Sequence, residues 1–434
     1  MVLGLLALIL AGGRGERLRP LTLTRPKALL EVGGKPILSY VLEAVRSVGI
    51  REAVLVVKYM EDAIRFWLKD GSSFGLKVSY VRQEEVRGTA DAISSALDVL
   101  ESREEVLVVH GDLLISGEAL RPVIEEHEKH KPVATLGVVE VKRPSEFGMV
   151  LTEDGWLRDL IEKPSKWEWR PLANSGIYVL SREALEAMRE VKPTEEGEYR
   201  ATDVLKGFAQ KGDYVRVAEI RASDWLDVGR PWDLLEANER VLKSIEPDVR
   251  GDVEPGAHIL GPVVVSEGAR IRSGAYIEGP AYIGPGADVG PNCYIRPYTS
   301  VGAKARIGNA CEIKNSIIME GTHIAHLSYV GDSVIGAYCN LGAGTITANL
   351  RFDKANIKMM VRGRRVDTGR RKLGVIMGDH VQTGIGVLLM PGVRIWPRCW
   401  IGPNLVVYKD VTEEGTFVLL EQELAYREAG AKPT

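Results

Sequence analysis

From Val253 onward an aliphatic side chain returns at every sixth position: Val253, Ile259, Val265, Ile271, Ile277, Ile283, Val289, Ile295, Val301, Ile307 and Ile313. A helix brings one face back about every 3.6 residues and a strand every second residue, so neither sustains a spacing of six. A chain wound into flat-sided coils does. Each hexapeptide forms one face, three faces close a coil, and coils stack at roughly 4.8 Å. Glycine follows several of the aliphatic residues, as in Ile283-Gly284 and Ile307-Gly308, and a small residue such as Ala269, Ala275 or Ala305 often stands two places before. All four cysteines (Cys293, Cys311, Cys339, Cys399) occupy that same slot. Their spacing matches no common zinc pattern, so they read as small buried fillers at the coil corners. The period breaks over 323–329, resumes at Ile335 and Leu341, and returns at Leu389, Ile395, Ile401 and Val407. Residues 251–412 are therefore expected to form a left-handed parallel β-helix of hexapeptide repeats, followed by a tail over 413–434.

The first 230 residues obey another rule. Apolar runs at 5–10, 53–57, 78–81, 106–109 and 133–139 have strand length, and 37–48, 90–100 and 120–130 carry the spacing of helices packed on a sheet. This alternation predicts an α/β domain over 1–230, Rossmann-like and doubly wound on a mostly parallel sheet, with ligands beyond the carboxyl ends of the strands. A charged helical linker over 231–250 leads into the glycine-rich half. Two domains also suit a chain of 434 residues, which exceeds what one hydrophobic core serves. A net charge of -3 gives no general attraction to nucleic acid or to an anionic membrane. The apolar run over 2–11 lacks preceding basic residues and is too short for a hydrocarbon core of roughly 30 Å. It reads as a buried parallel strand, and the expected location is the cytoplasm.

After that strand come Ala11-Gly12-Gly13-Arg14-Gly15, Arg17, Pro20-Leu21-Thr22 and Arg25-Pro26-Lys27. Glycines behind a strand let backbone N–H groups close around a triphosphate, and Arg17 and Lys27 can neutralise charge developing on it. A structural turn beside surface cations would look the same. Further motifs follow in order: Gln83 with Gly88-Thr89, His110-Gly111-Asp112, Phe147-Gly148, Glu162-Lys163-Pro164, Asn174-Ser175-Gly176, and Trp225-Leu226-Asp227. Together they resemble the sugar-1-phosphate nucleotidylyltransferases. That resemblance implies base reading by Gln83, Gly88 and Thr89, and sugar-phosphate contacts from Gly148, Glu162, Lys163 and Asn174. It also implies Mg²⁺ held by Asp112 and Asp227.

In the second half, His326 precedes Tyr329, Asn340, Ala343 and Asn349, while Arg296 and Lys314 stand upstream. This set resembles the acetyltransferase domain of bifunctional enzymes that make UDP-N-acetylglucosamine. The resemblance implies that Arg296 and Lys314 bind the phosphate of an amino sugar, that Tyr329, Asn340 and Asn349 contact the sugar, and that His326 is the general base toward acetyl-CoA. Eighteen residues separate Arg296 from Lys314, one full coil, so the two cations should stack. A backbone N–H near Ala343 is the candidate oxyanion donor. Between Arg351 and Lys372 a basic excursion leaves the repeat. It is either a solvated loop or an arm reaching a neighbouring subunit's site, since β-helix acyltransferases are generally trimers with shared sites. A family lysine there falls on Lys354 or Lys358; Lys358 is the candidate adopted.

Two other readings share the domain pair: a nucleotidylyltransferase whose β-helix only regulates or oligomerises, as in ADP-glucose and GDP-mannose pyrophosphorylases, and a non-catalytic assembly subunit. Arg-Pro-Leu-Thr and Arg-Pro-Lys resemble glucose-1-phosphate thymidylyltransferases, whereas the second domain resembles the partner of a uridylyltransferase. An archaeal-type enzyme accepting UTP and dTTP fits both likenesses.

Overall fold

The computed structural model describes residues 4–212, 214–424 and 426. Two compact units divide between Ala237 and Asn238, and the helix Pro231–Lys243 runs through that division. No helix among the described residues is long and apolar enough to cross a membrane.

The first unit is built on a nine-stranded sheet. Lys77–Arg82, Glu52–Val57, Leu6–Leu10 and Glu105–His110 lie side by side and parallel. Leu6–Leu10 sits between two partners and is apolar throughout, as a strand covered on both faces must be. The amino-terminal run thus contains the expected buried strand, although residues 1–3 fall outside the described part.

The remainder keeps the expected, mostly parallel sense but adds two strands that run against the others. Leu172–Ser181 runs antiparallel to both Glu105–His110 and Ala134–Glu140, and Gly148–Glu153 pairs antiparallel with Trp156–Glu162. The reason is local. Asp154 and Gly155 both take positive φ, which makes a two-residue hairpin turn, and hairpins reverse a chain without a helical crossover. The helix expected over 90–100 is also shorter, running Thr89–Ser94 before a 3₁₀ turn at Leu97–Leu100.

The second unit is a left-handed parallel β-helix with sheets of eight, nine and eight strands. Val265, Ile283, Val301, Ile318, Ile335, Met377 and Ile395 stack in register down one sheet. The other periodic aliphatics from Ile271 to Ile313 are completely buried. All four cysteines are buried and free, beside them.

The expected break over 323–329 does not occur. Ile324 and Val330 are core residues with no exposure, and His323–His326 and Tyr329–Gly331 pair with the coils on either side. What changes is the step: Ile313 to Ile318 and Val330 to Ile335 span five residues instead of six. Two corners one coil apart on the same edge each lack one residue while the coil continues. At those corners stand Asn315 and Asp332, both with positive φ, a conformation that Asn and Asp tolerate better than other side chains.

The next corner on that edge carries the basic excursion. It is an ordered hairpin, Lys358–Val361 with Arg364–Asp367, closed by a bridge between Leu350 and Lys372. Ile357 and Met359 are buried beneath it. They lie so close to Gly392 that a Cβ there would come within 2.7 Å of Ile357 Cγ2.

Candidate functional sites

In the first unit, Leu6–Leu10 and Glu105–His110 end level with one another, Leu10 opposite His110. The Gly111 N–H donates to the Leu10 carbonyl at 2.9 Å, carrying Asp112 to the carboxyl edge of the sheet. A short ribbon, Leu113–Ile115 with Trp225–Asp227, sets Leu113 opposite Asp227. Two acids remote in sequence thereby reach one spot. Lys27 Nζ pairs with Asp112 Oδ2 and lies 3.8 Å from Asp227 Oδ1. Burial opposes charge on Asp112, yet the Lys27 ammonium and neighbouring His110 hold its carboxyl below the usual range. Its Oδ1 is buried with no partner among the described residues.

That donor set, two carboxylates with one buried oxygen unspent, suits a hard divalent cation that completes its shell with water and phosphate oxygens. No group of three or more potential His, Cys, Asp or Glu ligands occurs among the described residues, so the chain would supply only part of the shell.

The glycine turn fixes Lys27. Gly15 takes φ +61, its carbonyl accepts from Thr22 Oγ1 at 2.8 Å, and a Cβ there would meet Thr22 at 2.9 Å and Lys27 at 3.1 Å. Ala11 is anchored through its N–H to Val56, whereas Gly13 and Arg14 are exposed. A Cβ on Gly12 would come within 3.0 Å of Gln83 Oε1. Gln83 is buried, and its Nε2 donates to Asp91 at 2.7 Å. Gly88 runs against the Tyr199 backbone, and Thr89 Oγ1 accepts from the Ala201 N–H at 2.9 Å. Gly229 lies against both Asp227 and Arg17, and Arg17 is half-buried there.

The segments expected to form the sugar pocket make a second group. Gly148 stands opposite Glu162, and Glu162 pairs with Lys163 at 2.9 Å. Where Leu172–Ser181 slips register against its neighbour, Asn174 Nδ2 donates to the Tyr178 hydroxyl at 2.8 Å. Burial pushes that hydroxyl up to about 12. The Tyr178 ring lies 6.2 Å from that of His110, whose imidazole burial pushes toward the neutral form. Asn174, Tyr178 and His110 thus lead from the sugar segments to Asp112. Sequence reasoning gave Tyr178 and His110 no role. It also passed over Asp233, whose carboxylate accepts from the Gly229 N–H at 3.1 Å. Burial, then the charge of Asp227, pushes the Asp233 carboxyl up to about 7.

In the β-helix the stacking of Arg296 and Lys314 follows from the register Ile295 opposite Ile313. Each cation already has an acid: Arg296 pairs with Glu312 at 2.9 Å, and Lys314 with Asp332 at 2.8 Å. Asn349 Nδ2 reaches the Tyr329 hydroxyl at 3.1 Å and Asp332 Oδ2 at 2.5 Å. Arg296, Lys314, Tyr329 and Asn349 therefore gather along one edge. His326 lies around the corner on the adjoining sheet, exposed, its carbonyl accepting from the Gly344 N–H at 3.4 Å. Asn340 shares that sheet, in register with His323 and Gln382. No hydrogen bond among the described residues joins its side chain to Tyr329. Ala343 follows at the next corner, and Lys358 is exposed at the start of the hairpin, paired in register with Asp367. Asp332, Asn315 and Glu312 belong to the cluster and were not anticipated. The signal that marks two of them is the shortened corner.

A glycine turn facing paired carboxylates, followed by a hexapeptide β-helix, defines the class of nucleotidyltransferases that carry a second, coiled domain. The family model described as nucleotidyl transferase matches residues 6–244, and one described as GMPPB C-terminal domain matches 277–390. The chain is 42% identical to "Bifunctional protein GlmU" of Methanocaldococcus jannaschii over 97% of its own length and 99% of the relative's. It is 41% identical to "Bifunctional sugar-1-phosphate nucleotidylyltransferase/acetyltransferase" of Sulfurisphaera tokodaii, over 93% and 98%. Against "Glucose-1-phosphate thymidylyltransferase" of Streptomyces griseus the identity is 35%, over 87% and 92%. The chain belongs to the family of bifunctional sugar-1-phosphate nucleotidylyltransferase/acetyltransferases.

Proposed function

We propose that the first domain transfers a nucleotidyl group from UTP or dTTP to a sugar-1-phosphate, glucose-1-phosphate or N-acetylglucosamine-1-phosphate, releasing pyrophosphate. The second domain N-acetylates glucosamine-1-phosphate from acetyl-CoA, so the chain serves UDP-N-acetylglucosamine synthesis. The observation that carries the first reading is Lys27 set between Asp112 and Asp227 at the mouth of the glycine turn.

A phosphate oxygen of the sugar-1-phosphate attacks the α-phosphorus, and the bond to the leaving pyrophosphate breaks. Both reactants are anions. Asp112 and Asp227 would hold Mg²⁺, which when bound supplies the positive charge that lets two phosphates approach. Arg17 and Lys27 face the charge that develops on the phosphates, and the backbone from Ala11 through Gly15 closes around them. Gln83, with Gly88 and Thr89, reads the base. Glu162 and Asn174 bond sugar hydroxyls while Lys163 meets the sugar phosphate. Positioning and electrostatics supply the catalysis without a covalent intermediate.

At the second site Lys314 and Arg296 hold the phosphate of the amino sugar, with Tyr329 and Asn349 beside it. His326 accepts a proton from the amine as its nitrogen attacks the thioester carbonyl. The backbone N–H near Ala343 donates to the tetrahedral oxyanion, and CoA leaves as the thiolate, which then takes a proton. His326 and Asn340 lie on one face and the phosphate-binding edge on the next, so a neighbouring copy closing that corner, with Lys358 contributed by its hairpin, fits a homotrimer in the cytoplasm. Light scattering on the eluted protein tests the trimer.

A second reading has support of its own. The match to the GMPPB C-terminal domain favours a β-helix that only assembles or regulates. Free thiol released from acetyl-CoA in the presence of glucosamine-1-phosphate decides between them. Thiol release at the rate of N-acetyl product supports two activities, and none leaves a single pyrophosphorylase.

A further inference from the structure

Asp332 is 2% exposed, buried at the second shortened corner of the coil. Three side chains donate four hydrogen bonds to its carboxylate. Lys314 Nζ bonds both oxygens, at 3.0 and 2.8 Å. Asn315 Nδ2 bonds Oδ1 at 3.0 Å, and Asn349 Nδ2 bonds Oδ2 at 2.5 Å.

The chemistry of the partners fixes which way each points. An ionised carboxylate only accepts, so the amide nitrogen of Asn349 must face Asp332. The second hydrogen on that nitrogen goes to the Tyr329 hydroxyl at 3.1 Å. Both hydrogens of Asn349 are then spent, and its Oδ1 remains as an acceptor. The Tyr329 oxygen accepts from Asn349, so its own proton is free to donate outward. Lys314 uses two N–H groups on Asp332 and keeps the third. Gly331 permits the arrangement, because a Cβ there would sit 2.4 Å from the Tyr329 hydroxyl and 2.7 Å from Asn349 Nδ2.

We propose that Asp332 is a positioning residue for acetyl transfer: it sets the hydrogen-bond polarity of the site, so that Lys314 and Tyr329 offer donors and Asn349 offers an acceptor to the amino-sugar phosphate. This rests on the acetyltransferase reading above. Two donors suit the phosphate oxygens, and an amide oxygen suits a sugar hydroxyl or amine hydrogen. Burial, and then the charge of Asp332, disfavour ionisation of the Tyr329 phenol, so Tyr329 keeps its proton into alkaline conditions.

The test uses the full chain and two variants. Asp332→Asn should raise KM for glucosamine-1-phosphate about ten- to a hundredfold, the worth of one hydrogen bond to a charged group. The alkaline limb of the acetyl-transfer profile should move to lower pH, while pyrophosphate release at the first domain is unchanged. The exchanged pair, Asp332→Asn with Asn349→Asp, separates positioning from stability. It restores an acid facing an amide, so thermal stability should return. The Tyr329 proton would now turn inward to the carboxylate moved to position 349, so the raised KM should persist. Acetyl transfer within about twofold of the original in either variant, well short of one charged hydrogen bond, would overturn the proposal. So would an alkaline limb that does not move in Asp332→Asn. If the unaltered chain released no thiol, the acetyltransferase reading would fall and this proposal with it. Activity in the unaltered chain with no effect of Asp332→Asn would sink the positioning role alone.

Discussion

Lys27 stands eighty-five residues from the aspartate it pairs with, and that contact makes the glycine turn chemically specific. Replacing it by alanine leaves Asp112 and Asp227 facing each other without that cation and removes the charge proposed to meet the phosphates. Lys27→Ala should lower pyrophosphate release by about a hundredfold or more, with acetyl transfer intact; coupled phosphate detection would read it. Loss of the imidazole in His326→Ala should cost acetyl transfer about a hundred- to ten-thousandfold, measured as free thiol, and leave nucleotidyl transfer alone. Asp233 gives a pH signature. Its folded pKa is raised from 3.8 to about 7, so the folded state binds a proton that the unfolded chain has already lost. Stability is then full below about pH 4 and declines as pH rises toward 7. In Asp233→Asn, whose amide oxygen can still accept from Gly229, melting temperature in the presence of chelator should gain on the original at pH 8 and match it near pH 4. An equal difference at both pH values would contradict this.

At the scale of elements, the coil was legible because its period is long, strict and enforced by burial. Every aliphatic from Val265 to Ile313 in the six-residue series is a core residue, and neither a helix nor a flat sheet brings every sixth side chain to one face. The α/β alternation was legible for the same reason, as far as the strand Ala134–Glu140. Leu172–Ser181 was not, because an antiparallel insertion made by the Asp154-Gly155 hairpin leaves no periodic mark of its own. The site was legible where glycine or a charged run marks it, as at Gly12 through Lys27. It was hidden where function depends on a residue being missing. Asn315 and Asp332 look like ordinary corner residues until the five-residue steps around them are counted. Truncating the core between the two shortened corners should be costly: Ile324→Ala leaves a cavity in a fully buried layer and should destabilise the β-helix by about 2 to 5 kcal/mol, read by denaturant unfolding of the second domain. A glycine inserted after Asn315 would restore the hexad. It should pull Lys314 away from Asp332 and depress acetyl transfer while the coil still forms.

Taken whole, the molecule places two reactions in two units with separate cores. The residues proposed for nucleotidyl transfer end at Asp227 and those for acetyl transfer begin at Arg296. Asp112→Asn should therefore abolish pyrophosphate release while thiol release continues at its original rate. His326→Ala should do the reverse. A mixture of the two variants should carry glucosamine-1-phosphate through to the nucleotide sugar, with N-acetylglucosamine-1-phosphate passing through solution; liquid chromatography of the products over time would show it accumulate and then decline. Failure of the mixture to complete the sequence would mean that the two reactions depend on one another.

The two missing residues also give the coil a fixed address. Above them, the eighteen-residue windings from Val265 to Ile283 and from Ile283 to Val301 are interchangeable in register, so a whole winding could be added or removed there and the chain would resume its count unchanged. The windings at Asn315 and Asp332 are out of that count by one residue each, and they are the ones that hold Lys314, Asp332 and Asn349 in contact. A lineage could lengthen or shorten this coil freely at its start, yet the place proposed for acetyl transfer would travel with those two corners.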